Sequence, residues 1–574
     1  MDQKRLLIAL VFSFAVLGIF TFIQDKFFPH PQQPAAQTTQ AAQTSPGAAP
    51  GAATGAAVAP PGPRLSVAAP LMQGSIGLTG AIFDDITLTS YHQSIKPGSP
   101  LVQILGRRGS PTPTYAQFGW SAAPGIDVPD DSTVWTSSAQ TLTPSSPVTL
   151  SWNNGQGLIF QLLLSVDDKY MFTVRQNVIN STSAPVALYP WSRVVRDYKP
   201  KEQTSWVLFE GPIGVFNGTL KQESYKTLKS DGEHTTGGGA FNATGPGGWA
   251  GITDKYWLTA VAPAQKAAMH ATMSYGTVKA GDGSAYQTSF ITANPVIAAP
   301  GGSAAFTSHL FTGAKVVKIL DGYQREYHIP NFYKAVDFGM LYFITKPIFF
   351  ALDYLNSLTG NFGFAILIFT VGIKLLFFPL ASYSYRSMAR MRAVQPKIAA
   401  LREQHKDDNV KLQQATMELY KAEKINPASG CLPMLLQIPV FFSLYKVIFI
   451  TIEMRQAPFY GWIHDLSAPD PTNIFNLFGL IPWDPTSISP LLHVGALPLI
   501  MGFTMFLQQK LNPAPADPAQ ARMFQFMPFI FTFMLARSPA GLVLYWAWNN
   551  LLSVGQQWLI MRQAAPKKTV PAKA

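Results

Sequence analysis

Cysteine is almost absent from this chain of 574 residues, which contains only Cys431. A single thiol excludes an internal disulfide framework, and it excludes a zinc site built from several thiolates. Cys431 stands at the edge of an apolar segment. We interpret it as a small residue at a membrane boundary.

Acidic residues are also scarce, because 31 Asp and Glu stand against 43 Lys and Arg, for a net charge of +12. Such an excess can indicate a nucleic-acid partner. Here the basic residues concentrate beside apolar segments, where membrane topology gives them a simpler role. We therefore expect no specific nucleic-acid binding. The apolar residues gather at the N-terminus and after about residue 340, which favours a membrane protein with a large soluble insert.

The N-terminal apolar run, residues 6–23, follows Lys4 and Arg5 and lacks a small-residue cleavage site. We interpret residues 1–28 as an uncleaved signal anchor whose N-terminus stays in the cytoplasm. Residues 29–64 are mostly Ala, Pro, Gln, Gly and Thr, a composition that cannot form a packed core. They are predicted to be a flexible linker to an exported, periplasmic domain.

Residues 65–330 are predicted to form that domain as an all-β sandwich, because short apolar runs alternate with turn clusters of Gly, Pro, Asn and Asp. Within residues 170–178, alternation puts four apolar side chains on one face: Tyr170, Phe172, Val174 and Val178. Gln176 is the exception on that face. Similar runs at residues 256–260 and 306–316 indicate enough strands for a sizeable sandwich.

No catalytic or metal-binding residue is predicted in the exported domain. Its glycine-rich stretch, residues 237–248, lacks the Gly-Lys-Ser/Thr ending of a phosphate-binding loop and indicates a flexible loop. The acidic pairs at residues 84–85 and 167–168 fit turns, and His234 and His309 have no partner at metal-ligand spacing. We expect no cofactor.

The pattern becomes helical after residue 330. Residues 331–360 are aromatic but interrupted by Lys346, Pro347 and Asp353, which indicates an amphipathic helix lying along the outer membrane surface. Residues 361–562 are predicted to form a helical membrane domain. Its apolar segments lie at residues 362–380, 432–452, 488–508, 523–536 and 540–561.

Loop charge predicts the topology of these segments. From Tyr385 to Lys424 there are nine Lys and Arg against five Asp and Glu, which places this stretch in the cytoplasm. Helical periodicity predicts a cytoplasmic hairpin of two helices at residues 383–426. The acidic loop after residue 452 is predicted to lie outside. With the anchor, the fold is a polytopic α-helical membrane protein of six membrane segments, and both termini, including the basic tail at residues 563–574, are cytoplasmic.

Lys374 lies inside the first of these apolar segments. Placing a lysine at mid-membrane costs about 2.5 to 3.5 kcal/mol on insertion scales, so such a residue normally faces protein or a water-filled cavity. One interpretation is a polar, positively charged groove. The alternative is that the lysine stem reaches the cytoplasmic interface and the charge sits in water there.

The last segment carries a polar stripe at spacings of three to four residues. Its members are Trp546, Asn549 or Asn550, Ser553, and Gln556 or Gln557. Thr370 and Lys374 form a second stripe, and Gln437 lies in the segment at residues 432–452. Two stripes and a cation favour a hydrated groove. Polar side chains can also simply join helices in lipid, at about 0.6 kcal/mol each, and this alternative stays open.

Several motifs between about residues 335 and 562 carry a family resemblance. They are QPKI at residues 395–398, YKAEK at 420–424, GCLP at 430–433, QIP at 437–439, RQAPF at 455–459, WIHDLS at 462–467 and AGLVLYW at 540–546. In these motifs the chain resembles the YidC/Oxa/Alb membrane-protein insertases, in their bacterial YidC form. The resemblance implies a periplasmic β-supersandwich similar to that of sugar epimerases, without their activity.

The resemblance also implies a groove that opens to the cytoplasm and to lipid and receives a nascent membrane segment. The groove cation of the family is usually arginine, and the matching residue here is Lys374, which lacks the planar fork of a guanidinium. Thr370 and Trp546 match positions that face the incoming helix. The groove residues predicted for this chain are Thr370, Lys374, Gln437, Trp546, Asn549, Asn550, Ser553 and Gln556.

The expected function is insertion of nascent inner-membrane proteins without ATP or covalent chemistry. The groove hydrates the polar end of the client and releases its apolar helix sideways into membrane lipid. The Sec translocon and the ribosome are the expected partners. Two alternatives are a solute transporter that binds an anion at Lys374, and a membrane-anchored periplasmic carbohydrate enzyme.

Overall fold

The structure is a computed structural model that describes residues 62–198, 200, 208–234, 239–276, 285–405, 408–423, 425, 432–489, 492–512 and 518–564. The predicted signal anchor lies outside these residues, as do nearly all of the linker, Cys431 and residues 565–574 of the basic tail. The described chain has a strand-rich part, which we call the β domain (residues 64–330), followed by a helical part.

Twenty strands form the described part of the β domain. They are β1 (Arg64–Ala68), β2 (Met72–Gly77), β3 (Ile82–His92), β4 (Leu101–Leu105), β5 (Thr114–Ala122), β6 (Thr136–Ser137), β7 (Thr141–Leu142), β8 (Val148–Asn153), β9 (Leu158–Val166), β10 (Met171–Asn180), β11 (Val186–Arg196), β12 (Gly211–Phe216), β13 (Thr219–Gln222), β14 (Gly239–Pro246), β15 (Trp249–Thr253), β16 (Trp257–Pro263), β17 (Ala268–Gly276), β18 (Ala285–Thr292), β19 (Val296–Ala298) and β20 (Ser303–Ala314).

The strands form two sheets, of eleven and nine strands. The larger follows the order β14-β17-β18-β11-β5-β3-β2-β1-β7, with β19 beside β11 and β4 beside β3, and the smaller follows β13-β12-β15-β16-β20-β10-β9-β8-β6. Neighbouring strands are antiparallel except β1 and β7. The sheets meet through aromatic side chains: the ring of Phe83 on β3 lies 5.4 Å from that of Phe172 on β10. Such a shared core between two sheets is typical of a sandwich.

The alternation predicted for residues 170–178 is present in β10, and the structure explains its exception. Phe172, Val174 and Val178 are buried, and so is Gln176. The Gln176 Nε2 donates a hydrogen bond of 2.6 Å to the carbonyl of Gly119 on β5, in the opposite sheet. A buried amide is tolerated where it has such a partner.

Three sequence expectations for the β domain are wrong. The glycine-rich stretch is largely the strand β14, whose small residues pair with β17. Asp84 and Asp85 lie within β3 rather than in a turn. Arg107 forms an ion pair of 2.6 Å with Asp85 of this strand. The domain is also not purely β, because it contains the helices α1 (Tyr225–His234) and α2 (Val317–Glu326).

Nine helices form the helical part. They are α3 (Tyr342–Thr359), α4 (Phe362–Leu376), α5 (Phe378–Ala393), α6 (Gln395–Gln404), α7 (Asn409–Ala422), α8 (Leu432–Ile450), α9 (Ala496–Leu511), α10 (Pro518–Leu535) and α11 (Ala540–Ala564), within the described ranges. Short 3₁₀ turns occur at Phe332–Ala335, Ile452–Met454, Ile474–Gly479 and Pro485–Ser487.

Among the described residues, no single helix is both long and apolar enough to cross a membrane, although α4 and α5 together pass that test with a bend of 68° between them. The prediction of one continuous helix over residues 362–380 is thus wrong. α4 ends at Leu376, and Pro379 lies in the first turn of α5. Proline lacks the backbone N–H that would continue a helix, but it fits the first turn of a new one.

The predicted hairpin at residues 383–426 corresponds to parts of α5, with α6 and α7. Val394, Ile398 and Ile425 form a small buried cluster there, with Leu419 and Tyr420 against it. Met388 does not belong to this cluster, because it packs with Tyr385 against Ile560 of α11. Apolar residues of α5 and α6 therefore pack in two places, one within the hairpin and one against the last helix.

A contact surface that we call the domain junction joins the β domain to the last turn of α8 and the residues after it. Arg455 donates from Nη2 to the carbonyl of His92 at 2.6 Å. The carboxylate of Glu453 accepts a hydrogen bond of 3.1 Å from the backbone N–H of Val317 on α2. The ammonium of Lys255 lies 3.7 Å from the ring centroid of Phe449. The β domain is thus held to the helical part by specific contacts, besides the chain connection at its C-terminal end.

Candidate functional site

The predicted groove begins at α4, whose start is fixed by Asn361. The Asn361 side chain accepts hydrogen bonds from Gly363 N and Phe364 N, which is a standard N-cap. Its Nδ2 donates to the carbonyl of Phe459 at 3.0 Å, so the same residue ties α4 to the segment after α8. Thr370 follows two turns later, 1% exposed, and its hydroxyl donates to the Ile366 carbonyl of its own helix at 2.6 Å.

Lys374 lies in the last turn of α4, directly before the bend. Its Nζ donates a hydrogen bond of 2.7 Å to Ser553 Oγ on α11. Ser553 in turn donates to the carbonyl of Asn549 at 2.8 Å. In this conformation the ammonium is directed towards the neighbouring helix and not outward along α4.

The polar stripe of α11 divides into two faces. Asn549 and Ser553 lie on the face towards Lys374. Asn550 and Gln557 lie on the next face, where Asn550 Nδ2 contacts Thr504 Oγ1 at 3.5 Å and Gln557 Nε2 donates to the Leu511 carbonyl at 3.0 Å. The second face therefore joins α11 to α9, as in the interpretation of polar residues as links between helices.

Gln437 and Trp546 are placed at the contact between α8 and α11. Gln437 Nε2 donates to the hydroxyl of Tyr545. The Trp546 ring packs at 4.6 Å against Phe441 of α8 and at 5.5 Å against Phe531 of α10. Trp546 is thus in an aromatic cluster, and its partner groups are apolar.

Sequence reasoning missed Tyr545 and Trp548 in this region and left Gln557 as an alternative to Gln556. Tyr545 is the partner of Gln437, Gln557 binds the end of α9, and Trp548 donates from Nε1 to the Leu367 carbonyl of α4 at 3.2 Å. Each side chain ends in a polar group on an otherwise apolar helix, and this polar group was the available signal in the sequence. Without the neighbouring helices, the sequence could not assign these groups to partners.

Four predicted groove residues are buried between helices in this conformation: Thr370, Asn549, Asn550 and Ser553. Gln556 is half-buried, and among the described residues its amide nitrogen and oxygen are both shielded without a hydrogen-bond partner. A cavity of about 610 Å³ lies elsewhere, at the domain junction, lined by His92, Lys96, Gln456 and His464 among others. Lys374, Gln437 and Trp546 are half-buried, so the predicted groove is only partly shielded in this conformation.

Comparison with known proteins assigns the chain to a family. A family model described as the 60Kd inner membrane protein matches residues 354–568, and a model described as the YidC periplasmic domain matches residues 64–351. A membrane protein insertase YidC from Granulibacter bethesdensis is 56% identical over 570 residues, which cover 98% of each chain. The chain belongs to the YidC family of membrane protein insertases. Another YidC, from Acidiphilium cryptum, is 57% identical over 88% of this chain and 86% of its own length.

Solved structures resemble the chain more distantly. A crystal structure of an active YidC insertase matches 86% of this chain and 91% of its own, at 17% identity and a TM-score of 0.35. A galactose mutarotase related enzyme from Lactobacillus acidophilus matches 44% of this chain, at 9% identity and a TM-score of 0.27. Both scores are too low to support an argument, so family membership rests on the sequence matches. Those matches identify the β domain as the family's periplasmic domain and support neither the transporter nor the carbohydrate enzyme.

Proposed function

We propose that this chain inserts nascent membrane proteins into the inner membrane through a groove between α4, α8 and α11. The observation that carries the proposal is the hydrogen bond from Lys374 to Ser553, because it brings the one cation of an apolar segment against the polar face of another helix. The groove residues are Thr370, Lys374, Gln437, Trp546, Asn549, Asn550, Ser553 and Gln556. Family membership supports the activity, and the contacts support the choice of helices.

The mechanism follows from the cost of moving polar groups through hydrocarbon. A client segment that must reach the periplasm loses several kcal/mol for each unpaired polar group in lipid. Polar groups on α4 and α11 supply hydrogen bonds at that depth, once the client has separated the two helices. The client's apolar helix then leaves sideways, past the exposed apolar side of α4, where Phe364 and Ile368 are 45% and 47% exposed.

The topology that we propose has six membrane segments. The N-terminus of the anchor and the C-terminal tail lie in the cytoplasm. The β domain is periplasmic, and the hairpin of α5, α6 and α7 is cytoplasmic. α3 lies along the outer membrane surface. The hairpin is the natural meeting point for a ribosome, and lateral release suits cooperation with the Sec translocon, so we include both as partners.

Photo-crosslinking tests the groove. A photoreactive phenylalanine analogue replaces Trp546, and the control replaces Trp558, which lies on the same helix and is 55% exposed. We expect ribosome-bound nascent chains of a membrane protein to crosslink to position 546 and much less to position 558. Equal crosslinking at the two positions, or crosslinking only at 558, would contradict a groove on this face of α11.

Depletion in the native host tests the activity itself. Inner-membrane proteins with short exported segments should remain uninserted when the chain is removed, and plasmid expression should restore them. Reconstitution with and without the Sec translocon then separates the two modes of action. Normal insertion of all inner-membrane proteins after depletion would contradict the proposed function.

A further inference from the structure

The segment between the domain junction and α9 carries a concentration of exposed apolar side chains. We call residues 474–488 the outer apolar loop. Its exposed members are Leu480 (84%), Ile488 (72%), Leu477 (53%), Phe478 (52%), Ile481 (44%), Trp483 (42%), Phe475 (41%) and Ile474 (38%). Exposed apolar patches of this kind mark an interaction surface.

The backbone of the loop holds these side chains outward. Leu477 and Phe478 adopt positive φ angles of 50° and 59°, a left-handed conformation that residues with bulky side chains rarely take. The side chain of Asn476 is bound within the loop instead, because it accepts from the N–H of Gly479 at 2.9 Å and donates to the Trp483 carbonyl at 3.2 Å. The turn thus makes these hydrogen bonds within the loop and leaves its apolar side chains exposed.

The loop is fixed to the outer end of α9. The buried carboxylate of Asp470 accepts hydrogen bonds from Thr472 Oγ1 at 2.7 Å and from the N–H of Leu497 in the first turn of α9 at 2.7 Å. Asn473 Nδ2 donates to the Leu492 carbonyl at 2.8 Å. α9 continues the apolar surface, since Phe503 is 62% exposed.

Charge identifies the partner as lipid. Between residues 471 and 489 the only charged residue is Asp484, and the loop has no lysine or arginine. A surface that contacts a protein partner or water has a polar rim. An exposed apolar patch with a tryptophan is instead typical of the membrane interface. The loop is also continuous with the helix surface that faces lipid in the proposed topology.

We propose that the outer apolar loop is a lipid anchor that enters the outer leaflet of the inner membrane beside α9. The inference rests on the proposed topology, in which this loop lies at the periplasmic end of the helices. It assigns the loop a role separate from the groove, which is to fix the outer end of α9 at a set depth in the bilayer.

Spin-label accessibility tests the anchor. Cys431 is replaced by serine, and single cysteines carry a spin label at Leu480, at Phe503 as the lipid reference, or at exposed Ser145 of the β domain as the aqueous reference. The protein is placed in vesicles of phosphatidylcholine and phosphatidylglycerol. Collision with oxygen and with a water-soluble nickel complex is then measured. We expect Leu480 to match Phe503, with oxygen favoured over nickel.

The possible results of this experiment test the lipid anchor separately from the proposed topology. If Leu480 behaves like Ser145 while Phe503 reports lipid, the anchor is overturned and the topology stands. If both Leu480 and Phe503 behave like Ser145, the proposed membrane arrangement fails together with the anchor. Dipolar broadening between Leu480 labels that disappears on dilution with unlabelled protein would assign the loop to a second copy of the chain and would overturn the lipid anchor.

Discussion

Lys374 and Ser553, 179 positions apart in the chain, are joined by a hydrogen bond of 2.7 Å between α4 and α11. The donor is an ammonium in an apolar segment, and the acceptor belongs to a polar helix face. A client that enters between these helices must break this contact and can replace it with its own polar groups.

Strengthening this contact should therefore hinder insertion. Ser553→Asp places a carboxylate beside the Lys374 ammonium, and an ion pair in a low-dielectric site is much harder to open than a hydrogen bond from an ammonium to a hydroxyl. We expect insertion into proteoliposomes to fall several-fold at unchanged protein level. Ser553→Asn is the matched control, since it is polar and uncharged. Equal insertion by the two variants would show that the contact does not open during insertion.

The β domain should be largely dispensable for insertion. Deleting residues 65–310 retains α2, so the hydrogen bond from Val317 to Glu453 can persist, but Arg455 loses its acceptor on His92. We expect insertion to continue with a lower melting temperature, as measured by an insertion assay and by thermal unfolding. Loss of insertion in a stable, correctly oriented membrane part would contradict this division of roles.

The domain junction should weaken as pH rises. Burial raises the pKa of Glu453 to about 7 from an ordinary value of 4.5. Between these values the folded junction binds a proton that the open form does not, so its stability is greatest below about pH 4.5 and falls as the pH rises towards 7. Over the full pH range between the two pKa values, the free energy that stabilises the junction falls by about 3 kcal/mol.

Glu453→Gln tests this dependence, because glutamine keeps the shape of the protonated acid without titrating. We expect the melting temperature of the wild-type protein to fall more than that of the variant between pH 5 and pH 8. Glu326→Gln, on the exposed end of α2, is the control and should behave as the wild type. Identical pH profiles for wild type and Glu453→Gln would exclude Glu453 as the titrating group.

Cysteine labelling tests the topology. With Cys431 replaced, single cysteines at Ser387 in α5 and at Ser467 after α8 should react with impermeant reagents from opposite sides. We expect Ser387 to label from the cytoplasm and Ser467 from the periplasm, because the proposed topology places the basic segment in the cytoplasm. The reverse pattern would overturn every loop assignment.

The sequence predicted the strand-rich domain and the helical part because both depend on local periodicity. It could not place Gln176, whose burial depends on a carbonyl in the opposite sheet. It also left Asn549 and Asn550 as alternatives, since adjacent residues on a helix differ by only about 100° and the neighbouring helices decide between them. The break after α4 did have a local signal, Pro379, which a count of apolar residues overlooks.

The central claim is that the charge of Lys374 acts on clients. Lys374→Arg should retain insertion, and Lys374→Glu should lose it, because it reverses the field in the groove. Lys374→Ala should impair clients with charged exported segments more than clients with uncharged ones, since charged groups cost most to desolvate.

The most direct measurement compares insertion of two matched clients, with an acidic and with a neutral exported segment, by the wild-type, Lys374→Ala and Lys374→Glu proteins at equal levels. The account predicts that both variants insert the acidic client several-fold less well, relative to the neutral one, than the wild type does. Equal insertion of the two clients by both variants would contradict a role for the Lys374 charge.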